Sequence, residues 1–164
     1  MIASGGHAFV VTTDLTLALD LRRRTAWKAL PDLGWPHSLV QAPMAGWTGG
    51  GLLVAHSEAA AVFGTGSAEE GWRRVSPPPR LLSPEATLYP LSDGQQVAVD
   101  TVARAAAVFD PARSRWSAMP LETRRRAAVA AGESGAAAFF VWGGSTDANL
   151  PFGDGAMLPW ESAR

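Results

Sequence analysis

Trp27-Lys28-Ala29-Leu30-Pro31, Trp72-Arg73-Arg74-Val75-Ser76-Pro77 and Trp116-Ser117-Ala118-Met119-Pro120 decide how this chain is read. Each is a Trp, two variable residues, an apolar residue and a Pro at once or one later. With Trp160 the four tryptophans stand 45, 44 and 44 residues apart. Their surroundings recur as well. Upstream lie Leu17-Ala18-Leu19, Ala59-Ala60-Ala61-Val62-Phe63 and Ala105-Ala106-Ala107-Val108-Phe109. Further upstream are Phe9-Val10-Val11, Leu52-Leu53-Val54, Val97-Ala98-Val99 and Phe139-Phe140-Val141. A period of this length is the mark of a repeat architecture.

Within a unit the pattern is four short strands parted by turn residues. The third unit shows it best. Strands are predicted near Thr87 to Pro90, Gln95 to Val99, Ala105 to Phe109 and Trp116 to Met119, with turns at Ser92-Asp93-Gly94, Asp100-Thr101 and Asp110-Pro111-Ala112-Arg113. Pro presets φ in such a turn, and the Asp carboxylate accepts from backbone amides just ahead of it. No stretch keeps a long amphipathic helical period. Ser38 to Pro43 and Thr123 to Ala131 are read as the first strands of their units. The fold class is therefore all-β, built of four-stranded antiparallel blades, with repeats at about 1–34, 35–79, 80–123 and 124–164.

Four-stranded units with a recurrent Trp are propeller blades. Phe140-Val141-Trp142-Gly143-Gly144, a polar loop and Asp154-Gly155-Ala156-Met157-Leu158 resemble a kelch repeat, as does the run Phe109 to Pro120. The resemblance implies a kelch-type β-propeller, of the superfamily that holds the central domain of galactose oxidase. The double Gly of that repeat occurs once, with Thr12-Thr13, His56-Ser57 and Asp100-Thr101 in the equivalent places. Ala18-Leu19-Asp20-Leu21 resembles a quinoprotein repeat, but the other units do not follow it, and Ser67 to Trp72 resembles an Asp box but lacks its Asp and the Thr before Trp. An outer-strand Trp is expected to pack against the neighbouring blade. The chain opens with only Ile2-Ala3-Ser4 where an inner strand belongs, and Trp160 to Arg164 is at best a clipped outer strand. The expectation is three and a half to four blades in an incomplete ring, able to self-associate through its open end blades.

Composition narrows the chemistry. The chain has 164 residues, 47% of them hydrophobic and 18% charged, with seven Trp and 17 Gly, a globular make-up rich in tight turns. The net charge of −1 gives no global attraction to nucleic acid or an anionic membrane. Arg22-Arg23-Arg24, Arg73-Arg74 and Arg124-Arg125-Arg126 fall on different parts of a blade and form no single basic stripe. They are read as solvated turns, or as partners of Glu69, Glu70 and Glu122. No apolar run reaches the roughly 18 residues that span a bilayer. The first residues carry neither the basic nor the apolar region of a signal peptide, so a cytoplasmic location is the default expectation.

No cysteine means no disulfide, no thiolate metal site and no cysteine nucleophile. Copper radical oxidases of the resembled fold need a Cys-linked Tyr and further Tyr and His ligands, and this chain has one Tyr, Tyr89, and no Cys. His7, His37 and His56 lack metal-ligand spacing, and His56-Ser57-Glu58 on one strand would point to opposite faces. Asp14, Glu58, Asp100 and Asp147 or Asp154 recur after second strands, where turn formation accounts for them without a cation. No catalytic residue, metal or cofactor is assigned.

What remains is a binding face. Loops after second strands and loops between blades share one rim, and binding residues concentrate on such loops. Trp35, His37, Asp147, Asn149 and Phe152 are the candidate contacts for a protein or small ligand there. The function expected is a non-enzymatic binding or scaffold module. The alternative is a piece of a larger propeller isomerase or hydrolase whose catalytic residues lie outside these 164 residues.

Overall fold

Strands of two to six residues, ended by Gly, Asp and Pro turns, pair with their sequence neighbours into antiparallel sheets. The computed structural model describes residues 1–4, 6–12, 15–23, 26–35, 43–56, 58–65, 71–80, 82–83, 86–100, 102–119, 130–133, 138–145, 150–151 and 153–159. The first sheet is β1 (Ile2–Ser4), β2 (His7–Val11), β3 (Thr16–Asp20) and β4 (Lys28–Ala29). The second is β5 (Met44–Trp47), β6 (Gly51–His56), β7 (Ala59–Gly64) and β8 (Gly71–Val75). The third is β9 (Thr87–Pro90), β10 (Gln96–Asp100), β11 (Ala105–Asp110) and β12 (Arg115–Met119). The fourth holds β13 (Ala130–Glu133), β14 (Ala138–Trp142) and β15 (Gly155–Pro159). Every sheet has its strands in chain order, and the first strands β1, β5, β9 and β13 adjoin one another in that same order. These are propeller-type blades.

Two expectations on first strands are corrected. Ile2-Ala3-Ser4 does form the inner strand of the first blade, paired Ile2 to Phe9 and Ser4 to His7. The first strand of the second blade is Met44–Trp47, downstream of the Ser38 to Pro43 expected. Met44 and Gly46 are buried and alternate with the half-buried Ala45 and Trp47, while Ser38 to Ala42 of the expected stretch lie outside the described residues. The helix-like run Thr123 to Ala131 reaches the described residues only at its end, in β13.

Each gap between blades is a separate core. Phe9, Leu30, Leu52, Val54 and Phe63 fill the space between the first two blades, with Trp72 partly buried against them. Leu53, Val62 and Phe109 join the second to the third, with Trp116 against them. Leu91, Val97, Val99, Phe139 and Val141 join the third to the fourth. Trp72 and Trp116 thus each face the preceding blade, as expected of outer-strand tryptophans. Trp72 lies edge-on to Phe63 at 5.2 Å and donates its indole N–H to the Pro31 carbonyl at 2.7 Å, which ties two blades together. Arg73 does the same one blade on, donating to the Ser114 hydroxyl at 2.6 Å. Its expected partners Glu69, Glu70 and Glu122 lie outside the described residues.

Trp27 has no such cover and is 44% exposed. It precedes β4 on the first blade, whose own preceding face has no blade against it among the described residues. At the other end Trp142 and Met157 are 50% and 57% exposed. Met157 stands opposite Phe140 on the outward face of the fourth blade. These two outward faces are where the expected self-association would have to act.

Candidate functional site

Of the five residues expected on the binding rim, the structure describes one. Trp35 is half-buried and packs against the core between the first two blades, as Leu33 and Trp72 also do. His37, Asp147, Asn149 and Phe152 lie outside the described residues. The acids after second strands take a structural form where one is well seen. Asp100 is buried, and its two carboxylate oxygens accept from the backbone N–H of Ser83 at 2.5 Å and of Ala103 at 2.7 Å. It pins the loop between the second and third blades to the turn after β10.

Two cavities among the described residues open on the other rim, where first strands turn into second strands. One, of about 440 Å³, lies among the inner strands of the first three blades. Its walls come from Ser4 on β1, Gly46 and Trp47 on β5, Leu88 on β9, and Ser92 and Gln96 at the next turn and strand. Among the described residues no charged side chain lines it. The turn that delivers Gln96 is held tightly. Leu91 N–H donates to the Gln95 carbonyl at 3.0 Å, Gly94 N–H to the Leu91 carbonyl at 3.1 Å, and Gln95 N–H to the Asp93 carboxylate at 2.9 Å. Gly94 has φ of 85°, and a Cβ there would stand 2.9 Å from the Thr48 carbonyl, so glycine lets this turn lie against the β5–β6 turn.

Gln96 is fully buried in the gap between the second and third blades. Its amide nitrogen donates to the Trp47 carbonyl at 2.6 Å and the Gln95 carbonyl at 3.0 Å. Its Oε1 is buried and accepts from no group among the described residues. That oxygen lies over Gly46, where any Cβ would collide with it. A buried amide oxygen without a donor costs about 1–3 kcal/mol.

The other blades show what this position needs for folding alone. Gln96 pairs with Phe109, which pairs with Trp116; Leu52 pairs with Phe63, which pairs with Trp72. Phe139 likewise faces back onto the third blade, 5.5 Å from the Tyr89 ring. Across the gap, the partner positions are those beside Phe9, Leu53 and Val97, namely Ile2, Gly46 and Tyr89. The three gaps therefore hold Ile2 with Leu52, Gly46 with Gln96, and Tyr89 with Phe139. Two are apolar on both sides; the middle one sets a glycine under an amide.

The second cavity, of about 490 Å³, is a cleft between the first two blades with Phe9, Leu30 and Phe63 at its floor and His7, Asp20, Arg22 and Lys28 at its edge. His7 stands opposite Asp20 and stacks on Phe9 at 5.9 Å. Asp20 is a turn former first: it accepts from the N–H of Arg22 at 2.9 Å and of Arg23 at 3.0 Å. The third blade repeats the device, Asp110 accepting from Ala112 N–H at 2.9 Å, Arg113 N–H at 3.1 Å and the Arg113 guanidinium at 2.7 Å.

Both carboxyls sit below the usual carboxylate range. For Asp20 the Arg23 N–H is the largest influence, helped by Arg22 N–H and by His7 and Arg23 charge, against some desolvation. For Asp110 desolvation is the largest single influence and pushes upward, but the bonds from Arg113 and Ala112 together outweigh it. A lowered folded value gives stability that is present above the unfolded pKa of about 4 and is lost as pH falls through the folded one. The double variant Asp20→Asn/Asp110→Asn is expected to show a shallower loss of stability than the parent between about pH 5 and pH 2. Urea unfolding across that range measures it, and parallel profiles would contradict it.

No family model matches this sequence, and no curated protein does. Among solved structures, one described as "Structure of YjhT" superposes on 99% of this chain with a TM-score of 0.58 at 12% identity. The chain spans 64% of that protein's length. At that identity the likeness concerns the fold alone: an all-β chain of antiparallel, blade-like sheets with a propeller-like structural neighbour.

Proposed function

We propose that this chain is a non-enzymatic, ligand-binding segment of a kelch-like β-propeller, and that it takes a small molecule in the cavity beside Gln96. The observation that carries the reading is the buried Oε1 of Gln96, left without a donor among the described residues where the neighbouring blades place Leu52 and Phe139. A group that weakens the core and is not needed by the fold is best accounted for by what it binds. The position fits as well. The cavity lies on the inner strands, its walls are preformed by tight turns, and it is mostly apolar with a few convergent polar groups, the usual make-up of a small-ligand site. The kelch character rests on the repeat motifs.

A fragment screen on the ¹⁵N-labelled chain tests the proposal. Binders should move the Gln96 side-chain amide and the Trp47 indole signals, and should lose affinity in Gln96→Leu. Binders that cluster instead around Trp35, with Gln96 and Trp47 unmoved, would transfer the site to the opposite rim.

A further inference from the structure

The chemistry of the Gln96 cavity also says what kind of molecule suits it. An amide side chain can present either its oxygen or its nitrogen, and which one faces a site follows from its fixed partners. Here the nitrogen lies between two carbonyls, of Trp47 and Gln95, at 2.6 and 3.0 Å. Turning the amide over would set its oxygen against both of them, with no donor in between. The orientation is therefore locked, and what Gln96 has left to offer is an acceptor.

Charge narrows the choice again. A cationic donor would satisfy Oε1, but among the described residues no carboxylate lines the cavity to offset its desolvation, and no cation lines it to receive an anion. Burying an unpaired ion costs several kcal/mol, more than one hydrogen bond to a neutral amide returns. The walls from Trp47, Leu88 and Leu91 suit an apolar body. Oε1 is closed to bulk solvent, so a donor reaches it only where the amide turns outward and gives up part of its hold on the two carbonyls. The missing Cβ at Gly46 is what leaves room for Oε1 itself.

We infer that the Gln96 cavity selects an uncharged ligand with an apolar body and one N–H or O–H that donates to Gln96 Oε1. The inference rests on the cavity being the binding site, and its test separates the two. Three probes share one ring: benzamide, which is neutral and donates; N,N-dimethylbenzamide, which keeps the ring and carbonyl but has no N–H; and benzoate, an anion. Each is titrated into the ¹⁵N-labelled chain while the Gln96 amide and Trp47 indole signals are followed.

Benzamide is expected to shift both signals saturably and to bind at least ~10-fold more tightly than either other probe, the factor that a single lost hydrogen bond of about 1.4 kcal/mol gives. The same loss is expected for benzamide with Gln96→Leu, and with Gln96→Met should the first variant fold poorly. If dimethylbenzamide binds as well as benzamide and moves the same two residues, the donor rule is overturned while the site stands. If benzoate binds best, the charge argument is overturned. If none of the three moves either signal, both the inference and the site fall, and a structural amide is what remains.

Discussion

Phe109→Ala is expected to lower the stability of this chain by roughly 3–5 kcal/mol, whereas Trp27→Ala should cost under about 1 kcal/mol. Phe109 has no exposed surface and sits at the junction of the second and third blades, with Leu53 and Val62 across the gap and the Trp116 ring 5.1 Å away. Removing it leaves a cavity walled by two sheets that are each pinned by their own ladders and cannot close in. Trp27 belongs to the same repeat motif as Trp72 and Trp116 but is 44% exposed, with no blade against it among the described residues. A repeat protein is stable through its nearest-neighbour interfaces, so the motif counts only where a neighbour stands. Trp116→Ala should weaken the chain through the same cluster, and the double variant with Phe109→Ala should cost less than the sum. Guanidinium unfolding of the variants checks this. Equal losses for Trp27 and Phe109 would mean that the first blade is covered in a way the structure does not show.

The blades were legible in the sequence because their causes are local. Gly, Asp and Pro turns cut the chain into strand lengths, and the Trp period ties successive units together. The Asp110-Pro111 turn was read directly, and it forms with both expected Asp-to-amide bonds. Register was harder. Aligning the second strands by eye as Phe9, Leu52, Val97 and Phe139 mixes two faces, because side chains alternate and a slip of one reverses them. The pairings show that Phe9, Leu53 and Val97 look towards the next blade, while Leu52, Gln96 and Phe139 look back. In that corrected column Gln96 is the polar residue among apolar ones, and it would have stood out. The predicted strand Gln95 to Val99 contains it, but the recurring triplet Val97-Ala98-Val99 begins one residue after it. The interest of Gly46 was hidden for a different reason. A glycine in a strand only becomes informative once the side chain lying over it, from another blade, is known.

Gly46→Ala is the second change with a large expected effect, about 2–3 kcal/mol of destabilisation. The new methyl would meet Gln96 Oε1 and Cδ, and Leu88 Cδ1 at 3.4 Å. A free glutamine would swing away cheaply. This one holds the Trp47 and Gln95 carbonyls, so any swing breaks those bonds inside a closed gap. The cost should fall to below about 1 kcal/mol in a Gln96→Leu background, where no amide is displaced and the apolar pairing of Ile2 with Leu52 is approximated. The difference between the two backgrounds is the coupling between the residues. A coupling near zero would separate Gly46 from Gln96 and leave the glycine explained by β5 alone.

The central claim is that Gln96 serves a ligand and not the fold, and the sign of one stability change tests it. Gln96→Leu removes a buried oxygen with no donor and puts apolar surface where Leu52 and Phe139 already show that the blade accepts it. It also gives up two bonds to backbone carbonyls, so the net gain is expected to be modest, about 1 kcal/mol. Urea unfolding of the parent chain and of Gln96→Leu, with no ligand present, measures this directly. The account predicts a higher midpoint for Gln96→Leu at an unchanged slope. A midpoint lowered by an amount worth 1 kcal/mol or more would mean that Gln96 is a clamp between the second and third blades, and would contradict the claim.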